Sequence, residues 1–298
     1  MGALGESRFG RVLTAMITPF DSDGGLDLDG AQQLARWLVG HGSDGLVING
    51  TTGESPTLTA TESVDLFRAV RQAVDVPVIA GTGSNDTAHA IRQSEAAAGI
   101  GVDGLLVVAP YYNRPSQAGL DQHFRMIAAA THLPVILYDI PIRTGRKVET
   151  DTIVRLAHEV PTLVGLKDAA GDPAETAALV ASAPEDFEVF SGDDNLTLPF
   201  LSVGARSVIS VTAHWAGPQL QAMFAAFDAG DVAEARRINA RLIPSFAFQS
   251  TAEAPNPVPT KAMLRSLGLP AGECRPPMGP TPDGLEVQAK ELWDALQG

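Results

Sequence analysis

Only four lysines occur among the 298 residues. One of them, Lys167, ends an apolar run, Val164-Gly165-Leu166, that reads as a buried strand. An ammonium in such a run is costly to desolvate, so its pKa should fall. A lysine that is neutral part of the time can attack a ketone and form an imine. A buried ion pair with Asp168 or Asp193 would explain the same residue, and spacing alone leaves both readings open. Lys147, Lys261 and Lys290 lie in loop or helical contexts where a solvated charge is expected. Two of the three tyrosines, Tyr112 and Tyr138, fall at the ends of predicted strands. A phenol there can carry a proton between a departing carbinolamine hydroxyl and water. Such a relay needs a second hydroxyl, and Thr51 is placed to supply it. Packing with a satisfied hydroxyl is the plainer use of either tyrosine.

Two anion sites are also legible. The turn Gly50-Thr51-Thr52-Gly53 offers backbone N–H groups and hydroxyls to a carboxylate. Arg143, in a loop after the fifth predicted strand, could clamp a second carboxylate in bidentate fashion. It could equally be a surface arginine, since Arg146 lies close by. The six histidines show no paired metal-ligand spacing, and His214, the only one near the catalytic end, reads as structural. The single cysteine, Cys274, can close no intrachain disulfide and build no zinc cluster, and reads as an incidental thiol.

These residues must be held by a repeating scaffold. Short β-branched runs recur at Val12 to Thr18, Gly45 to Asn49, Pro77 to Gly81, Gly104 to Ala109, Pro134 to Ile140, Leu163 to Lys167, Phe187 to Ser191 and Ser207 to Thr212. The segments between them carry helical spacing, as in Val64, Phe67, Val70 and Val74. Nearly continuous apolar strands suit a parallel sheet covered on both faces. Eight strand–helix units imply an α/β fold, a closed (β/α)8 TIM barrel. The rival, an open doubly wound sheet, would carry a glycine-rich dinucleotide turn that neither Gly81-Thr82-Gly83 nor the Gly50 turn matches. The expected organisation is a catalytic barrel over 1–216. The last barrel helix and a C-terminal helical extension occupy 217–298, with helices over Gln219 to Ala229, Val232 to Ile243 and Thr260 to Leu267. Asp231 is the expected cap of the second, and Pro259 the break before the third.

Composition narrows the classes of function. Apolar residues make up 45% of the chain, enough for a large core. The net charge of −14 disfavours nucleic acid and anionic membranes as partners. No apolar run approaches the roughly 20 residues of a membrane span. Met1 to Arg11 lacks the pattern of a secretory signal, so a cytoplasmic location is expected.

Six motifs then stand in order at barrel-loop spacing. They are Gly50-Thr-Thr-Gly-Glu-Ser55, Pro110-Tyr-Tyr-Asn-Arg-Pro115, Leu137-Tyr138 with Pro141 and Arg143-Thr-Gly145, Gly165-Leu-Lys167, Ser191-Gly-Asp-Asp194 and Asn256-Pro-Val-Pro259. Together they resemble the dihydrodipicolinate synthase/N-acetylneuraminate lyase family, from the first strand to about Pro282. Within that family the likeness is to members that condense pyruvate with L-aspartate-4-semialdehyde to 4-hydroxy-tetrahydrodipicolinate, in lysine and diaminopimelate biosynthesis. The resemblance implies that Lys167 forms the imine and Tyr138 is the general acid/base. Thr51 and Tyr112 complete the proton relay, with Tyr112 at or across a dimer interface. It implies that Thr51 and Thr52 hold the pyruvate carboxylate and Arg143 the aldehyde's carboxylate, while Gly192 and Ile209 line the imine pocket. It further implies no metal or organic cofactor, small-molecule substrates only, and a homotetramer built as a dimer of dimers. The alternative is a sibling pyruvate-dependent aldolase or dehydratase acting on sialic acid or a 2-keto-3-deoxy sugar acid. A sugar-like substrate would want neutral partners where Arg143 stands.

Some positions depart from the family pattern. Asp168 stands where glutamate is common, and Ile142 where serine is common. Some relatives bind lysine as a feedback inhibitor. Ser55, Asn85 and Tyr111 match that site, whereas Ala60, Ser63 and His89 each lack the imidazole or carboxylate expected at its own position. Feedback inhibition by lysine is therefore expected to be weak or absent.

Overall fold

The computed structural model describes residues 7–297. Eight strands follow one another: β1 Val12–Ala15, β2 Gly45–Ile48, β3 Val78–Gly81, β4 Gly104–Val108, β5 Val135–Asp139, β6 Leu163–Asp168, β7 Glu188–Ser191 and β8 Ser207–Ser210. They close in sequence order into a barrel. This is the expected (β/α)8 barrel, with helices after the strands and more at the C-terminus. In six of the eight strands every residue is buried, which is why their sequences are apolar runs instead of alternating patterns.

The helices start where local chemistry favours it. Asp27, Asp86, Ser116 and Asp172 each accept a hydrogen bond from a first-turn backbone N–H. Thr59 and Glu62 form a reciprocal capping box at the helix Ala60–Ala73.

The chain divides into two compact units, one running to Val76 and resuming at Ser210, the other Pro77–Ile209. In the first, β1 pairs with β2 in parallel, Leu13 opposite Gly45. The helix Ala213–Asp228 follows β8 and bends at Ala216, where Pro218 cannot donate to the preceding turn. Val232–Phe248, Val258–Ser266 and Leu285–Gln297 complete this unit. Asp231 caps the first of these through Glu234 N, as its position predicts. Pro259, expected to break before a helix, instead sits in the first turn of Val258–Ser266, where its missing N–H matters least. The last helix was not anticipated from the sequence.

In the second unit β3 to β8 pair in parallel, each with the next. One irregularity there has chemical consequences. The β5–β6 register shifts between Val135 and Ile136, which face Leu163 and Gly165, so Val164 is an extra residue on β6. A one-residue slip exchanges the faces of a strand. After the bulge, Tyr138 faces Lys167 and Asp139 faces Asp168. Gly165 permits this register, because a Cβ there would fall 2.5 Å from the Glu188 carbonyl oxygen of β7.

Candidate active site

Lys167 is 6% exposed and Tyr138 likewise 6%. The lysine Nζ lies 4.4 Å from the centroid of the Tyr138 ring. The two strands thus bring together the amine and the phenol that the sequence singled out. The ion-pair alternative for Lys167 is not what the fold builds with Asp168. That carboxylate accepts from Thr176 Oγ1 at 2.7 Å and from Ala170 N at 2.9 Å. Among the described residues Lys167 forms no ion pair within 4.0 Å.

The electrostatics follow from this isolation. Burial pushes the Lys167 ammonium down to about 8, and the Arg143 charge adds to the fall. The Asp194 and Asp193 charges oppose it without overcoming it. At pH 7 that leaves roughly a tenth of the amine neutral, against about 0.03% for a lysine at its ordinary value. Raising the pH toward 8 increases the nucleophilic form. The initial rate of borohydride-trapped imine formation with a keto acid should therefore climb close to tenfold per pH unit below 8 and flatten above it. A flat profile between pH 6 and 8 would contradict the assignment.

Arg143 lies in the short helical turn Pro141–Thr144, closed by Gly145 N donating to Pro141 O at 2.9 Å. It is exposed, and among the described residues its guanidinium has no carboxylate partner. A cation near a buried amine with no protein anion to neutralise it is suited to an incoming carboxylate.

Tyr112, unlike Lys167 and Tyr138, is exposed. Its side chain is 90% exposed and its φ is 74°, an unusual backbone for an aromatic residue. Its N–H donates to Thr144 O at 3.2 Å, which ties this turn to the Arg143 loop. Gly192 follows β7, and its N–H donates to Asp168 O at 2.7 Å. A Cβ on Gly192 would lie 2.9 Å from that same oxygen, so glycine is needed for the approach. Ile209 is buried on β8.

The Thr51–Thr52 turn lies in the other unit. Glu54 N donates to Thr51 O at 3.0 Å and Ser55 N to Gly50 O at 3.2 Å, and Thr18 Oγ1 donates to Gly53 O at 2.6 Å. Asn49 and Glu54 flank the turn with φ of 57° and 55°. Such left-handed positions need outside support. Here the structure corrects an expectation. Lys261, read as a solvated helix lysine, is fully buried, and its Nζ lies 2.7 Å from Glu54 Oε1. It also donates to Glu273 O at 3.0 Å and stands 4.1 Å above the Phe20 ring. Arg275 N donates to Glu54 Oε2 at 2.8 Å, and the Arg275 guanidinium pairs with Glu62 at 2.6 Å. Lys147 is likewise not a free surface charge, since it pairs with buried Asp139 at 3.1 Å. Asn256 donates from Nδ2 to Thr52 Oγ1 at 3.0 Å. Glu54 and Asn256 lie in motifs visible in the sequence. Their pairings are not visible there, because the contacts join residues some 200 positions apart.

His214 is structural, as expected. Its Nε2 accepts from Ile17 N at 3.1 Å, so Nδ1 carries the hydrogen donated to Val211 O at 2.7 Å. Burial pushes this imidazole down to about 4. Cys274 fits the incidental reading, its thiol pushed up to about 12 by burial and then by Glu54.

A closed parallel barrel with a partly neutral lysine beside a phenol defines a class of protein, one equipped to hold a keto compound on an amine. Similarity narrows the class. The model of the Dihydrodipicolinate synthetase family matches residues 8–295, and the chain belongs to that family. A 4-hydroxy-tetrahydrodipicolinate synthase of Moorella thermoacetica is 55% identical, over 96% of this chain and 98% of that one. Its counterpart in Desulforamulus reducens is 50% identical, over 95% and 94%. Among solved structures, a dihydrodipicolinate synthase of Cyanidioschyzon merolae with lysine bound superposes with a TM-score of 0.95 at 43% identity, covering 98% of this chain and 99% of its own.

Proposed function

We propose that this chain condenses pyruvate with L-aspartate-4-semialdehyde to 4-hydroxy-tetrahydrodipicolinate, a step of lysine and diaminopimelate biosynthesis. The observation that carries the proposal is the buried Lys167 amine against the Tyr138 ring, in a chain 55% identical to a synthase of that name. The Lys167 amine attacks the pyruvate carbonyl carbon, and water leaves as the imine forms. Tyr138 hands the proton to the departing hydroxyl, with Thr51 and Tyr112 connecting it to solvent. The imine draws electron density from the methyl group, which loses a proton to give an enamine. The enamine carbon bonds to the aldehyde carbon. The substrate's own amine then attacks the imine carbon, closes the ring and releases Lys167. Thr51 and Thr52 hold the pyruvate carboxylate, Arg143 holds the carboxylate of the aldehyde, and the backbones of Gly192 and Ile209 line the imine pocket. Lys167 is the electron sink, so the scheme calls on no metal or organic cofactor.

In this reading the barrel is 1–216, followed by its last helix and the extension at 217–298. The protein works in the cytoplasm as a homotetramer, a dimer of dimers. Among the described residues no helix is long and apolar enough to cross a membrane. Tyr112 and Ile142, 90% and 89% exposed, supply apolar surface for a partner subunit.

The test is condensation coupled to a reductase that consumes NADPH. Robust turnover supports the synthase. Pyruvate trapping without turnover moves the assignment to a sugar-acid aldolase. Arg143→Ala should raise the KM for the aldehyde at least tenfold, the scale of one lost charge-assisted contact, while imine trapping with pyruvate persists. Unchanged aldehyde kinetics would undo the substrate assignment.

Lysine should inhibit weakly if at all. Ser63 is buried, and its hydroxyl is committed to Thr59 O at 3.1 Å. Ala60 and His89 bring no carboxylate for an ammonium. A titration showing inhibition at sub-millimolar lysine would contradict this.

A further inference from the structure

The C-terminal extension reaches the Thr51–Thr52 turn through a side chain whose chemistry is unusually directional. Asn256 is 8% exposed and Thr52 4%. Asn256 Nδ2 donates to Thr52 Oγ1 at 3.0 Å. The hydroxyl therefore spends a lone pair on the amide and keeps its hydrogen. Among the described residues that hydrogen has no second partner. Asn256 Oδ1 is buried without a hydrogen-bond partner as well. Reversing the amide would satisfy that oxygen at the expense of Thr52's only hydrogen, and would leave both amide N–H groups unmatched. A hydroxyl that accepts from an amide is also a better donor, because successive hydrogen bonds polarise one another.

We infer that Asn256 is a positioning residue that fixes the Thr52 hydroxyl as a hydrogen-bond donor to the carboxylate of the keto acid. The inference rests on the function proposed above and adds a residue to it. Asn256 touches no substrate. It acts by deciding which way one O–H bond faces. Its own placement is built into the fold, since Asn256 N donates to Ser250 Oγ at 3.2 Å and the helix Val258–Ser266 starts two residues later. The same helix carries Lys261, which holds Glu54 two residues beyond Thr52. The extension thus grips the turn at its hydroxyl and at its left-handed residue.

The variants separate direction from bulk. Asn256→Asp has the same shape but only accepts, so it takes the Thr52 hydrogen and sets a negative charge behind the hydroxyl. Asn256→Ala removes the partner and frees the hydroxyl to rotate. The measurement is borohydride trapping on the full-length chain across pyruvate concentrations, read by mass. Asn256→Asp should raise the half-saturating pyruvate concentration at least tenfold and Asn256→Ala by less. The pH midpoint set by Lys167 should not move in either. In a Thr52→Val background neither substitution should add a further shift, because the coupling passes through the missing hydroxyl. Equal shifts in both backgrounds, or no shift from either variant, overturn the inference. If Asn256→Asp does not fold, the Asn256→Ala cycle carries the same test. A wild-type chain that traps no pyruvate overturns the proposed function and this inference together. Wild-type trapping with unshifted variants overturns the inference alone.

Discussion

Lys167→Ala should abolish imine trapping with pyruvate and reduce condensation to the assay background, while the protein stays folded. Both halves follow from the same observation. In the proposed scheme the Lys167 amine is both nucleophile and electron sink, and alanine supplies neither. Its burial, however, works against stability. Holding its pKa near 8 instead of 10.5 corresponds to a penalty of about 3 kcal/mol on the ammonium in the folded state relative to the unfolded chain. Alanine relieves that burden but leaves a cavity, at a similar cost of about 2–5 kcal/mol. Lys167→Met keeps the packing and drops the charge, so it should be inactive and more stable than the wild type. The pH window follows from the direction of the shift. Between about 8 and 10.5 the unfolded lysine is protonated and the folded one is not, so wild-type stability rises with pH across that range. The melting-temperature advantage of Lys167→Met should be largest below pH 8 and shrink between 8 and 10.5. A methionine variant less stable than wild type at pH 7 would mean that the ammonium is well solvated or paired after all. That would remove the ground for its lowered pKa.

The barrel was legible because its strands are apolar runs at regular intervals, and burial on both faces leaves little else they could be. Lys167 was legible because it interrupts such a run. The pairing of Lys167 with Tyr138 was not, since it depends on Val164 being an extra residue on β6. A bulge leaves no mark in composition or periodicity. Strand ends were overrun for a related reason: Met16 to Thr18 are as buried as β1 but lie beyond its end at Ala15, and hydrophobicity does not report hydrogen bonding. Lys261 was misread because a lysine on an amphipathic helix is ordinarily solvated. Its partner, Glu54, comes from a turn some 200 positions earlier, and no local pattern pairs them. The helical extension was foreseen, but its grip on the Thr51–Thr52 turn was visible only in three dimensions.

That grip makes Lys261 the site of the largest expected stability effect. Lysine and glutamate are both buried, 0% and 2% exposed, and 2.7 Å apart. Burial lowers the lysine pKa, and Glu54 opposes the fall. Removing one partner of a buried pair leaves the other charge uncompensated, at about 3–5 kcal/mol. Lys261→Met fills the space and deletes the charge, so it isolates that electrostatic loss from a cavity. It should lower stability by about 3–5 kcal/mol in urea titration with the slope unchanged. Glu54→Gln alone should be harmful for the converse reason. The double variant Lys261→Met/Glu54→Gln should recover much of the loss, because a neutral pair of similar volume carries no uncompensated charge. The amide carbonyl that Glu54→Gln introduces can still accept from Arg275 N, preserving the contact that Glu54 makes there. Activity separates two roles for the pair. If the clasp only supports the fold, the double variant regains turnover along with stability. If it sets the left-handed Glu54 that closes the Thr51–Thr52 turn, as the geometry indicates, stability returns while the half-saturating pyruvate concentration stays high. Strictly additive single and double variants would show that Lys261 and Glu54 are buried neighbours without being a pair.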